Sequence, residues 1–398
     1  MRRLSRSGIA LYNDPKESRP NRQLMANGVI NIYKEKGYSS HDVVAIVRRL
    51  LRTKKVGHTG TLDPQAEGVL PICVGRATKL AGYLTNEGKS YRAELILGKT
   101  TDTGDHTGTV LSHNKVSSSG DATFLSFADM DYRRIKEVIE SFVGGYMQIP
   151  PMYSAIKVNG QRLYKLARAG IEVERKARPV EISRIEILAD GDDRLDCNVD
   201  QLDCSAVQVV SDTHHLVSVT HQLTLDIDCG KGTYIRSLCE DIGEKLGCGG
   251  CMGNLVRTRS GVFTVKNALR LSELEQAIKH ANEYANEHVN EHLNKNVINS
   301  KNLDFLIPVD EAFPSVRGIT SFKSSINGHP VPISQVETEK KLSEGDYCWL
   351  YYHKKTLENQ SQIDRNHVKS LIGLHIQKNG ILKPEVMMHE NHKSDISN

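Results

Sequence analysis

The sequence predicts an α+β protein: a catalytic domain built on a mixed β-sheet with flanking helices, followed by a small β-rich domain. Three observations carry this. Apolar segments of period two recur along the chain, amphipathic helical stretches stand between some of them, and the two types do not keep the strict βαβ rhythm of a parallel sheet. The 398 residues, 38% hydrophobic and 25% charged, exceed one ordinary domain and are enough to bury a sizeable core. No apolar run approaches the length needed to cross a bilayer, so a soluble protein without membrane contact is expected.

Residues 1–26 carry six cations (Arg2, Arg3, Arg6, Lys16, Arg19, Arg22) and two acids, without the apolar core of a secretory signal, and read as a disordered basic arm. Gly28 to Tyr33 alternates as a half-buried strand. Ser39 or Ser40 then caps a helix whose Val43, Val44, Val47, Leu50 and Leu51 share one face. Val56 to Gly68 is a loop rich in Gly, Thr and Pro, and Val69, Leu70, Ile72 and Val74 form a compact buried strand.

Tyr91 to Leu97 alternates again, and Thr100 to Thr109 reads as a polar loop. Ile135, Val138, Ile139 and Phe142 mark an amphipathic helix ending at Gly144-Gly145. Around Lys157-Val-Asn-Gly-Gln-Arg162 the Asn-Gly pair predicts a turn between short strands, and Leu163 to Ala169 a helix stopped by Gly170. Val180 to Ala189 and Val217 to Asp228 are strands, with an unreadable inserted loop at 191–215 between them. Ile235, Leu238, Ile242 and Leu246 define a helix ended by Gly247, and Val256 to Val265 returns as a strand.

From Asn282 a four-residue repeat places Ala285, Val289 and Leu293 on one drifting helical stripe, which predicts a linker helix within 273–303. His288 and His292 on it have no third ligand and read as incidental. Tyr347 to Tyr352 and Leu371 to Gln377 are strands of a small β module over 304–390. The last eight residues read as frayed. The expected organisation is therefore an arm at 1–26, a catalytic domain at 27–272 with insertions at 150–180 and 191–215, the linker, and the β module.

The eight cysteines are irregularly spaced in a chain with enough core to need no disulfides, so reduced thiols and a cytoplasmic location are expected. Cys248-Gly-Gly-Cys251 has metal-ligand spacing but lacks a second pair, so no metal is expected. It also lacks the preceding proline and the upstream His-x-Glu of a zinc nucleobase deaminase. The net charge of +4 permits an anionic partner without requiring one, and the nearest cluster of cations is Arg48-Arg-Leu-Leu-Arg52 with Lys54-Lys55.

The densest chemical cluster is Gly57-His-Thr-Gly-Thr-Leu-Asp-Pro-Gln-Ala-Glu-Gly68. Its three glycines allow close backbone approach, and Asp63 precedes a proline that fixes φ. On the residues alone, Asp63 is either a positioned reactive carboxylate or a turn-capping one.

Together with Gly68-Val-Leu-Pro, Lys89-Ser-Tyr-Arg, Gly98-Lys-Thr-Thr-Asp-Thr103, Gln148-Ile-Pro-Pro-Met-Tyr-Ser-Ala-Ile-Lys157 and Gly232-Thr-Tyr-Ile-Arg236, in that order, this loop resembles the TruB family of pseudouridine synthases over about residues 27–270. The resemblance implies a pseudouridine synthase-like sheet and a PUA-like carboxyl-terminal domain. It implies an isomerase acting on uridine 55 in the T-loop of tRNA, without cofactor or guide RNA, and a monomer.

By the same match Asp63 is the catalytic carboxylate, as nucleophile at C1′ or as base on a ribose proton, and Arg236 is its partner. Tyr91 is the aromatic that stacks on the uracil and a candidate for assisting removal of the C5 proton. His58, Tyr234 and Leu255 line the pocket of the flipped base, and Lys34 is kept with them although the common Asn-Lys-Pro pattern here reads Tyr33-Lys34-Glu35. The Tyr153 to Gly170 hairpin and helix matches the RNA-gripping insertion. Two rival readings are a tRNA-folding chaperone, for which Asp63 is dispensable, and a guide-dependent ribosomal RNA synthase, inactive on bare tRNA.

Overall fold

The computed structural model describes residues 27–113, 115–116, 132–188, 210–211, 217–218, 221–287, 303–313, 315–320, 325, 329–338, 340–352 and 370–388. The basic arm, most of the insertion at 191–215, the repeat from His288 onward and the last eight residues lie outside these.

The first half of the chain supplies β1 (Gly28–Lys34), β2 (Val56–His58), β3 (Glu67–Val74), β4 (Lys89–Leu97), a hairpin of β5 (Lys99–Thr101) and β6 (Val110–His113), and β7 (Lys115–Val116). There follow β8 (Gly144–Gln148), a short hairpin of β9 (Lys157–Val158) and β10 (Gln161–Arg162), β11 (Arg178–Ile187), β12 (Val210–Ser211), β13 (Val217–Ser218), β14 (His221–Cys229), β15 (Gly250–Ser260) and β16 (Phe263–Thr264). Between them stand the helices α1 (Ser40–Leu50), α2 (Ala81–Asn86), α3 (Tyr132–Glu140), α4 (Leu163–Arg168), α5 (Ile235–Leu246) and α6 (Leu271–Glu287).

Nine of these strands form the central sheet, in the order β1-β3-β15-β4-β14-β11-β8 with β2 on β3 and β16 on β15. The sheet is mixed, as expected from the sequence: β15 runs parallel to β3, pairing Val256 with Glu67 and Arg257 with Gly68, while the other neighbours are antiparallel. That parallel join requires glycine at 68. Its φ is +102° and a Cβ there would lie 2.3 Å from the Arg257 carbonyl oxygen, a separation no side chain tolerates.

One continuous core unites the sheet with its helices. Val43, Val44 and Val47 of α1 and Ile235, Leu238, Ile242 and Leu246 of α5 pack with Ile30, Ile32, Leu70, Ile72, Ala93 and Leu95 of the strands. Each such fully buried aliphatic side chain contributes about 1.5–3 kcal/mol of transfer free energy. Helix α1 starts where the sequence predicts: Ser39 accepts from the Asp42 amide and the Asp42 carboxylate accepts from the Ser39 amide, a reciprocal capping box. Helix α5 ends where predicted, with Gly247 left-handed at φ 78°.

Several elements depart from the expectation. The strand placed at Val256 begins at Gly250; Cys251, Met252, Leu255 and Val256 are all buried, because β15 is a central strand covered on both faces and shows no alternation. Helix α3 stops at Glu140, and Gly144-Gly145 opens β8 instead of ending the helix. Thr100 and Thr101 belong to a strand within the segment read as a loop. The helix read as a linker starts at Leu271, and Leu271, Leu274 and Ile278 are part of the main core. Helix α2 and the 3₁₀ turn Gly75–Leu80 before it were not foreseen.

After α7 (Val309–Ala312) come β17 (Val316–Thr320), β18 (Val331–Pro332), β19 (Glu337–Thr338), β20 (Tyr347–Tyr352), β21 (Ser370–Lys378) and β22 (Ile381–Met387), a six-stranded sheet in the order β18-β22-β21-β20-β17-β19. It packs against the outer side of β1 and β3. Trp349, Leu374 and Val386 share an apolar cluster with Val29, Tyr33, Val69, Leu80 and Leu84. The fully buried Trp349 donates its indole N–H to the Phe313 carbonyl at 2.8 Å, so its polar edge is satisfied.

Candidate active site

The loop between β2 and β3 is fixed almost carbonyl by carbonyl. Ser40, at the start of α1, accepts from the Leu62 amide at 2.9 Å and donates to the Leu62 carbonyl at 3.2 Å. Lys34, with no exposed surface, donates to the carbonyls of Tyr38 (2.8 Å), Glu35 (3.2 Å) and Pro64 (3.3 Å). Arg257, 1% exposed, reaches up from β15 to the carbonyls of Val69 (2.7 Å), Gly60 (3.4 Å) and Thr61 (3.4 Å). The Asp63 carbonyl accepts from the Ala66 amide at 3.1 Å. With its backbone held, Asp63 presents its carboxylate to a cleft of about 560 Å³.

Tyr91, Tyr153, Tyr234, Arg236 and Leu255 line that cleft with Asp63, and the N-termini of α1 and α5 open onto it. Arg236 organises the site. Its guanidinium, 6% exposed, lies 3.0 Å from the Asp63 carboxylate and donates to the carbonyls of Tyr153 (2.7 Å) and Thr103 (3.2 Å). One planar cation thus joins the Asp63 loop, the segment before β9 and the segment after β5, three of the stretches the sequence singled out. Arg162, Tyr164 and Arg168, from β10 and α4, stand over the opening.

Tyr91 sits on β4 between Ile227 and Arg257. Burial pushes its phenol above the ordinary value, with the Arg257 guanidinium opposing. Tyr234 is likewise pushed up by burial, opposed by the neighbouring Ser154 hydroxyl. At neutral pH both are therefore neutral phenols, fit for stacking and hydrogen bonding.

Two residues assigned to the pocket from the sequence stand elsewhere. Lys34 is beneath the loop, its ammonium spent on backbone carbonyls. Burial lowers its pKa to about 8, with Glu67 and Asp63 opposing. His58 lies behind the lining, edge-on to the lining residue His41 with ring centroids 5.4 Å apart, and its Nδ1 accepts from the Gly60 amide at 3.3 Å. Burial, then His41 and Arg257, lower its pKa, so it stays neutral. Both residues shape the loop from outside the cleft.

Arg257 and Ser40 carry the loop; the sequence assigned Arg257 no role and offered Ser40 only as an alternative cap of α1, a place that Ser39 takes. The sequence offered no clear signal for Arg257, because Arg259 stands two residues on in the same Leu255-Val-Arg-Thr-Arg259 stretch, and only the fold shows which of the two is buried with a set of carbonyl acceptors. Of the cations beside the loop, Arg48 donates to the Val56 carbonyl at 2.9 Å, while Arg49, Arg52, Lys54 and Lys55 are exposed. Among the described residues, no group of three or more His, Cys, Asp or Glu could hold a metal ion, and no helix is long and apolar enough to cross a membrane.

A mixed sheet whose cleft holds an aspartate clasped by a buried arginine has the architecture of a pseudouridine synthase. A solved H/ACA RNP bound to a substrate RNA containing 2′-deoxyuridine shares the fold at TM-score 0.57 and 18% identity, over 95% of this chain and 93% of that one. The model of the TruB family pseudouridylate synthase N-terminal domain matches residues 48–235, and that of the tRNA pseudouridylate synthase B C-terminal domain matches residues 236–313. The tRNA pseudouridine synthase B of Clostridium tetani is 40% identical over 332 residues, 83% of this chain and 93% of that protein. The protein of the same name from Alkaliphilus oremlandii is 46% identical over 249 residues, 63% of this chain and 70% of that one. The chain belongs to the TruB family of pseudouridine synthases.

Proposed function

We propose that this protein converts uridine 55 in the T-loop of tRNA to pseudouridine, with Asp63 as the catalytic carboxylate. The observation that carries the reading is the 3.0 Å pair of Asp63 and Arg236 inside the cleft. The names of the curated relatives supply the tRNA.

The reaction is an isomerisation: the N1–C1′ bond breaks, the uracil turns, C5 bonds to C1′, the C5 proton leaves and N1 ends protonated. No atom is gained or lost overall. Asp63 acts in its ionised form, either attacking C1′ or removing a ribose proton. Arg236 keeps the carboxylate aimed and paired with a cation through both bond changes. Tyr91 and Leu255 sandwich the extruded base, offsetting the few kcal/mol that unstacking costs. The neutral, buried Tyr91 phenol suits the stacking role better than that of a base.

Arg162, Arg168 and the exposed cations after α1 grip phosphates around the cleft, and the β module at 304–390 adds a second RNA contact to the catalytic domain at 27–272. The protein works as a cytoplasmic monomer without guide RNA. The intact Asp63–Arg236 pair speaks against the chaperone reading. Against the guide-dependent one stand the curated relatives, 40–46% identical and named for tRNA, while the H/ACA particle shares only the fold at 18% identity. The test is modification of an unmodified tRNA transcript by the purified chain alone. Conversion confined to position 55, and abolished when that uridine is changed to cytidine, supports the reading. Inactivity restored only by an added RNA or protein overturns it.

A further inference from the structure

Helix α5 carries both Tyr234 and Arg236 into the cleft, yet its N-terminus has no cap of its own: Tyr234 occupies the N-cap place without a side-chain hydrogen bond. The main chain of the N-cap residue is held instead by a side chain from the central sheet. Gln148, the last residue of β8 and 1% exposed, accepts from the Tyr234 amide through Oε1 at 2.8 Å and donates to the Tyr234 carbonyl through Nε2 at 3.0 Å. A glutamine reaching the N-cap amide is the usual half of a capping box, here delivered from 86 residues away.

The remaining Nε2 hydrogen goes to the Tyr146 hydroxyl, which itself lies 3.4 Å from Asp241 on α5. Donor and acceptor ends are therefore each committed, and the carboxamide has one orientation that satisfies its partners. Two further bonds staple the same segment to the same helix turn: Ser237 donates to the Ile149 carbonyl at 2.8 Å, and Arg236 to that of Tyr153 at 2.7 Å.

We infer that Gln148 is a positioning residue of the active site: its carboxamide clamps the Tyr234 main chain and thereby sets the first turn of α5, from which Arg236 holds Asp63. The inference rests on the reading of the cleft as the site of uridine isomerisation. It predicts a defect in turnover more than in RNA binding, because Gln148 itself lies outside the cleft lining.

Gln148→Glu tests this with a T-stem-loop RNA under steady-state conditions. A glutamate keeps the acceptor for the Tyr234 amide but at pH 8 sets a carboxylate oxygen against the Tyr234 carbonyl. The expected result is kcat lowered about 10- to 100-fold with KM within about twofold of the unmodified chain. On lowering the pH towards 6 the deficit shrinks at least about threefold, as protonation of the new carboxyl restores a donor. A role in stability alone lowers the folded fraction but leaves kcat per folded protein unchanged at both pH values, which urea unfolding at pH 8 and pH 6 separates from the clamp.

Unchanged kcat at pH 8, a loss confined to KM, or a deficit independent of pH overturns the inference. If Gln148→Glu fails to fold, Tyr146→Phe decides: it frees one Nε2 hydrogen, and kcat lower by about threefold at constant KM supports the clamp, while unchanged kcat overturns it. No turnover by the unmodified chain sinks the functional reading first and this inference with it.

Discussion

The Asp63 carboxylate meets the Arg236 guanidinium at 3.0 Å, with the aspartate side chain 45% exposed and the arginine 6%. The asymmetry divides the labour. The arginine is structural at its root, bound to two carbonyls, while the carboxylate keeps an open side towards the cleft.

Removing the arginine should therefore cost both stability and rate. Arg236→Met leaves the Tyr153 and Thr103 carbonyls without their donor and should destabilise by about 1–3 kcal/mol in urea unfolding. Arg236→Lys keeps the charge but not the planar fork, and its turnover on a T-stem-loop should still fall by about 100-fold or more. Near-normal turnover of Arg236→Lys would show that charge alone suffices.

Gly68 and Gly57 bracket the same loop but differ in their surroundings. Gly68→Ala forces a Cβ to 2.3 Å from the Arg257 carbonyl at φ +102°, and should lower stability by about 3 kcal/mol or more in thermal unfolding. At Gly57 a Cβ would have nothing within 4 Å, and the backbone φ is not left-handed. Gly57→Ala should stay within about 1 kcal/mol.

Lys34 makes stability depend on pH in a definite direction. Burial lowers its pKa to about 8 from 10.5, so between those values the unfolded chain binds more protons than the folded one. The contribution of Lys34 to stability is then complete above pH 10.5, and is lost as pH falls through 8. The stability difference between the unmodified chain and Lys34→Met should grow in favour of the former by about 2 kcal/mol from pH 8 to pH 10. Parallel urea midpoints across that range would show that Lys34 stays charged in its buried place.

What the sequence made legible was local. Apolar patterning placed β1, β4 and two of the six strands of the carboxyl-terminal sheet, β20 and β21, although β1 is buried along its whole length and not on one face only. Cap residues placed the start of α1 and the end of α5, because each signal is written in consecutive residues. The start of β15 was hidden because Gly250-Cys-Met-Gly-Asn254 carries two glycines and an asparagine and so neither alternates nor forms an apolar run. Likewise, α6 read as a linker because its repeat drew attention to its polar end while Leu271, Leu274 and Ile278 anchor its beginning.

In the site, Asp63, Tyr91, Tyr234, Arg236 and Leu255 come together in one cleft, whereas Lys34 and His58 stand outside its lining. A motif match says that residues share a neighbourhood, not which way each side chain points. Arg257, Ser40 and Gln148 bind backbone groups from distant segments. Such partners follow only from the fold.

The most direct measurement is release of tritium from C5-labelled uridine in a T-stem-loop RNA, with the unmodified chain and Asp63→Asn compared without cofactor. Because the asparagine amide oxygen can still accept from Arg236 and the position is half exposed, folding and RNA affinity should hold while release falls by about 10³-fold or more. Comparable release by both proteins would contradict the assignment of Asp63 as the catalytic carboxylate.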